Sequence, residues 1–80
     1  MISVQCKMAR AALGLGVREL ANLAKVSPDT VARLERGEAL RDRTIDDIRL
    51  ALEQAGIEFI AENGGGAGVR FRERRSDKEA

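Results

Sequence analysis

Apolar residues recur at helical spacing over the first 56 residues, punctuated by Gly14, Gly37 and Gly56, and then change to strand-like spacing. In the stretch Gly16 to Gly37, GVRELANLAKVSPDTVARLERG, Leu20, Leu23 and Ala24 recur at three- and four-residue intervals. That spacing predicts a helix over Val17 to Ala24 with these residues facing inward. Lys25-Val26-Ser27 reads as a turn. Ser27 is a good N-cap, and Pro28 follows at the first helical position, where its missing N–H costs nothing. A second helix is therefore predicted from Pro28 to Arg36, with Val31 and Leu34 inward and Gly37 as its stop. Two helices joined this tightly must cross closely, and Ala21 supplies the small residue at the crossing. The stretch reads as a helix-turn-helix.

The flanks extend the pattern. Ser3 is expected to cap a first helix over about Val4 to Leu13, with Cys6, Ala9 and Leu13 on one face, Ala12 adjoining, and Gly14 ending it. After a loop from Glu38 to Arg43, Thr44 is expected to cap a further helix. Asp46 and Asp47 would stand in its first turn beside the positive dipole end, and Ile45, Ile48 and Leu52 would form its core stripe. Ile57-Glu58-Phe59-Ile60 and Val69-Arg70-Phe71-Arg72 then read as two short strands. The second alternates cleanly, Val69 and Phe71 on one side and Arg70 and Arg72 on the other. The glycine-rich Ala61 to Gly68 between them makes a hairpin with a long, mobile loop. Arg74 to Ala80 is expected to be a disordered, charged end. The predicted fold is mainly α, a bundle of about four helices with a short C-terminal β-hairpin. Its divisions are a helix-turn-helix domain over 1–56, a strand pair over 57–73 and a tail over 74–80.

Leu20, Ala21, Val26, Ser27, Thr30, Val31, Leu34, Glu35 and Gly37 carry a resemblance to the Cro/phage-repressor (XRE) helix-turn-helix family of transcriptional regulators. The resemblance covers roughly Cys6 to Leu52 and implies a lambda-repressor-like bundle that binds double-stranded DNA. The chain departs from the family pattern at three places. Gly16 replaces the usual Ser or Thr cap, Val17 replaces a glutamine that usually touches DNA, and Lys25 stands where Gly normally takes a left-handed conformation. A non-Gly residue there costs about 1 kcal/mol.

The resemblance also implies site residues. The positions of Pro28, Asp29 and Arg33 would read bases in the major groove. Arg33 suits a bidentate guanine contact, Asp29 a cytosine amino group, and Pro28 a thymine methyl. Asp29 could instead repel phosphates. Ser27 and Thr30, beside a helix N-terminus, would contact phosphates together with Arg18, Arg36, Arg41 and Arg43. An arginine matching Arg10 pairs in the family with the glutamate matching Glu35, and that bridge is expected here as a structural feature.

Composition narrows the alternatives. Eighty residues make one domain, and one this small buries only about 60% of its unfolded surface, so a dimer is a reasonable expectation. With two Phe and no Trp or Tyr, the core must be aliphatic. Net charge is +1, but it is sided. Residues 1–43 carry eight Lys/Arg against five Asp/Glu, or +3, and residues 44–63 carry one against five, or −4. Residues 64–80 carry five against three, or +2. A single cysteine suits a reducing compartment and reads as a small buried apolar residue. No apolar run approaches the roughly 20 residues of a membrane span, and no signal-peptide core opens the chain. The expected address is the cytoplasm, on the nucleoid.

Catalytic chemistry finds no footing. The chain has no His, so a metal site is not expected, and no serine stands in a nucleophile context. Gly64 to Gly66 lack the Lys-Ser/Thr and helix of a phosphate loop, which leaves a flexible linker. Neither enzyme activity, a cofactor nor a small-molecule ligand is expected. Two functional readings remain. One is a sequence-specific DNA-binding regulator, a repressor working as a dimer on half-sites about 34 Å apart. Residues 57–72 are the expected interface, and a hairpin that only covers its own core is the alternative. The other reading is a helix-turn-helix interaction module, an antitoxin or antiactivator, in which the arginines serve solubility.

Overall fold

The computed structural model describes residues 1–73. It contains α1 (Ser3–Leu13), α2 (Val17–Ala24), α3 (Pro28–Glu35), α4 (Asp42–Gln54), β1 (Ile57–Ile60) and β2 (Gly68–Phe71). The fold is mainly α, four helices followed by a short antiparallel hairpin, as the sequence pattern predicts. The expected disordered end over 74–80 lies outside the described residues.

The first three helices end alike, in a left-handed residue that reverses the chain and returns two N–H groups to the last turn. After α1, Gly14 and Leu15 donate to the carbonyls of Ala11 and Arg10 at 3.1 and 2.9 Å. After α2, Lys25 and Val26 donate to Asn22 and Ala21 at 3.3 and 3.0 Å. After α3, Gly37 and Glu38 donate to Leu34 and Arg33, both at 3.0 Å. Lys25, at φ 59°, is the sole non-glycine with positive φ among the described residues. The tight turn into α3 therefore carries the strain of a side chain in the left-handed region.

The helix starts differ from expectation at two places. α1 begins at Ser3, with Ile2 before it, so Ser3 lies inside the first turn and does not cap it. The Ile2 N–H is satisfied by Gln5 Oε1 at 2.9 Å, so no cap hydroxyl is needed. α4 begins at Asp42 with Arg41 before it, and Ile45 N–H donates to Arg41 O at 3.1 Å. Thr44 is thus within the first turn and not its cap. Asp42 takes the first-turn place that favours a carboxylate, and Asp46 and Asp47 fall in the second turn.

The core is aliphatic. Cys6, Leu20, Val31, Ile48, Leu52 and Ile57 are its largest fully buried side chains, with small Ala9 and Ala21 letting helices approach. Leu23 does not face inward: it is 53% exposed. At 3.6 residues per turn, Leu20, Ala21, Ala24 and Val17 share an arc whose centre lies about 110° from Leu23. Ala12 likewise stays exposed.

β1 and β2 pair from Ile57 opposite Phe71 to Ile60 opposite Gly68, and the hairpin docks on α1 and α4. β2 starts one residue earlier than expected and ends at Phe71, although Arg72 N–H still donates to Gly56 O at 2.8 Å. Gln5, buried on α1, sends Nε2 to Ile60 O and Gly68 O at 3.1 and 3.0 Å. One amide thereby closes the neck of the hairpin loop. Glu58 and Arg70, opposite each other, form a cross-strand pair at 3.1 Å. Among the described residues no buried side-chain polar atom lacks a partner, and no helix is long and apolar enough to cross a membrane.

Candidate nucleic-acid interface

α3 and its two ends build the site. Ser27 caps the helix, its Oγ accepting from Thr30 N–H at 3.1 Å and lying 2.9 Å from Thr30 Oγ1. Pro28 and Asp29 follow in the first turn, both exposed. One turn on, Arg33 points along the same helix toward the loop after it. There it meets Glu38. Arg33 Nε donates to Glu38 Oε1 at 3.0 Å, and Arg36 donates through Nε and Nη2 to Glu38 Oε2 at 3.0 and 2.9 Å. The hydrogen bonds from Arg33 and then Arg36 hold the Glu38 carboxyl below the usual carboxylate range.

Beside this cluster runs an open groove of about 610 Å³ lined by Thr30, Arg33, Ala39, Leu40, Arg41 and Thr44. It brings together three of the residues singled out in the sequence, Thr30 and Arg33 from α3 and Arg41 from the loop entering α4. Ser27 joins through Thr30, and Arg36 through Glu38. Pro28, Asp29, Arg18 and Arg43 are exposed but do not line the groove. Glu38 was not among the residues the sequence singled out. Its signal was its place directly after the Gly37 stop, with Arg33 and Arg36 before it and Arg41 and Arg43 after it.

Behind the exposed side, α3 is tied to α1. Arg10 donates through Nε and Nη2 to Glu35 Oε2 and Oε1 at 2.8 and 2.9 Å, and through Nη1 to Leu15 O at 3.2 Å. Cys6 Sγ–H completes the shell, donating to Glu35 Oε2 at 3.4 Å. Glu35 is 8% exposed and Arg10 25%. Burial works to raise the Glu35 pKa, but the bonds from Arg10 and Cys6 and the charges of Arg10 and Lys7 outweigh it and leave the group below its ordinary value. Burial, then the bond and charge of Glu35, push the Cys6 thiol up to about 12.

Among the described residues no group of three or more His, Cys, Asp or Glu is placed to hold a metal ion. The arrangement is a helix with an exposed first turn and a partly exposed outer side, beside a groove that carries two arginines, a form that suits binding to an extended anion. No protein-family model matches this chain, and no curated protein matches it. The fold resembles a small helix-turn-helix regulatory module on its geometry alone.

Proposed function

We propose that the protein is a sequence-specific DNA-binding transcriptional regulator of the Cro/phage-repressor type, a cytoplasmic repressor acting as a dimer on the nucleoid. The observation that carries this reading is the convergence of Thr30, Arg33 and Arg41 on one open groove beside the capped start of α3. In this reading α3 enters the major groove with Pro28, Asp29 and Arg33 toward base edges. Arg18, Ser27, Thr30, Arg36, Arg41 and Arg43 then meet phosphates on either side. The hairpin, residues 57–72, presents its outer strand edges to a second copy, which sets two α3 helices on successive half-sites.

Fluorescence anisotropy on random-sequence and selected duplexes, titrated over salt, tests it. Binding that falls steeply with salt is expected, and Arg41→Ala should lower the logarithmic salt slope by about 1. No binding to any duplex at about 50 mM salt, a condition in which counterion release favours association, overturns the reading.

A helix-turn-helix interaction module is the second reading. It is favoured by Leu23 and Leu50, 53% and 52% exposed, on a groove of about 260 Å³ between α2 and α4 with Lys25 and Asp47 at its lining. That outcome predicts salt-insensitive capture of a protein partner by this groove and no duplex binding.

A further inference from the structure

We propose that Glu38 is a specificity-determining positioning residue, which holds Arg33 so that its terminal amino groups present a fork to a base. The inference rests on the DNA-binding reading and deepens it.

Backbone geometry places the carboxylate. Gly37, at φ 87°, reverses the chain, and Glu38 N–H returns to Arg33 O, so Glu38 is bonded to the last turn of α3. The equivalent position after α1 is Leu15 and after α2 is Val26, apolar residues that are half-buried. An apolar contact commonly accompanies this helix ending. After α3 the position is an exposed carboxylate instead, aimed at two arginines of the same helix end.

Its oxygens are divided. Oε1 takes only Arg33 Nε, whereas Oε2 takes both Nε and Nη2 of Arg36. Among the described residues Arg33 makes no further side-chain hydrogen bond, so both its terminal amino groups stay open. Those two groups form a planar fork that fits the O6 and N7 of guanine. Arg36 anchors the carboxylate from the other side through Nε and Nη2, which leaves Nη1 for the phosphate contact.

The same carboxylate has two opposed effects on binding. It fixes Arg33 in one presentation, which lowers the ordering cost of a correct base contact. Its negative charge also repels phosphates from the cluster, which weakens binding to any duplex regardless of sequence. Glu38 therefore trades raw affinity for discrimination. An exposed ion pair contributes little to folding, so the effect is read on DNA and not on stability.

The test measures affinity of the full chain, Glu38→Ala, Glu38→Gln and Arg33→Ala for a selected duplex and for its scrambled counterpart. Glu38→Ala should bind scrambled duplex more tightly, and its ratio of selected to scrambled affinity should fall about three- to fivefold, the most that an exposed ion pair can impose through its hold on Arg33. Glu38→Gln keeps an oxygen for Arg33 Nε and should lose less of the ratio. In an Arg33→Ala background Glu38→Ala should leave the ratio unchanged, because the residue it positions is gone. The Arg33 Nε–H resonance of the free protein should shift in Glu38→Ala. A ratio in Glu38→Ala within twofold of the parent, or the same loss without Arg33, overturns this inference while the DNA reading stands. Failure of the parent to bind any duplex overturns both, whatever the Arg33 resonance does.

Discussion

Glu35 occupies the C-terminal turn of α3, where the helix dipole is least hospitable to a carboxylate. Arg10 compensates with a two-pronged bridge from α1, and Cys6 adds a third donor. Removing one member of a partly buried pair strands the other, so Glu35→Gln should cost about 2 kcal/mol at neutral pH. Because the folded-state pKa of Glu35 is depressed, its contribution is complete above the unfolded glutamate value of about 4.3 and is lost as pH falls through the lower folded value. Urea unfolding from neutral to acidic pH should therefore show a shallower acid decline in Glu35→Gln than in the parent. Reading Cys6 as a small buried residue holds, since it is fully buried. Its bond to Glu35, 29 residues away, is beyond local spacing, because nothing near Cys6 in the chain points to that carboxylate.

At the scale of elements, local signals worked where the chain alone decides. The bounds of α2 and β1 coincide with their apolar patterns, and Ser27-Pro28 starts α3 as a cap and a preset φ require. They failed where a partner decides. Ser3 and Thr44 have the right chemistry to cap, but Gln5 satisfies the start of α1, and α4 begins two residues before Thr44. Gln5 shows why a polar residue among apolar ones is hard to read. It is 4% exposed because its amide serves two carbonyls 55 and 63 residues away. Gln5→Ala leaves both acceptors and the Ile2 N–H without this partner, and should lower stability by about 1–3 kcal/mol in chemical denaturation. The candidate site was legible to the same degree. Thr30, Arg33 and Arg41 meet as side chains on one groove, whereas Glu38 gained its role only when the chain reversed at Gly37 and folded it back on α3.

For the molecule as a whole, the hairpin is structural before it is anything else. Ile57 is fully buried, and Phe59, Val69 and Phe71 pack against the helical core. Arg49 lies over the Phe59 ring at 5.8 Å, and Arg72 donates to the Glu53 carbonyl, so α4 holds β1 and the residue that follows β2. A chain ending at Gly56 forfeits the burial of Ile57, about 2–3 kcal/mol, and part of three other side chains. Against a total stability of about 5–10 kcal/mol for so small a domain, that loss is decisive. Thermal melts followed by far-UV circular dichroism should show no cooperative transition for the truncated chain. Subunit contact through this region is thus to be probed by concentration-dependent mass of the whole protein, not by deletion.

The neck drawn shut by Gln5 isolates what lies beyond it. Residues 61–66 are exposed, and strand register is set on the near side of the clamp. Extra residues grafted at Gly65 would form a larger bight on an already closed ring, at about 0.6 kcal/mol for each doubling of length. The tip is a natural attachment point, where a reporter peptide or dye can ride without disturbing the face that carries α3.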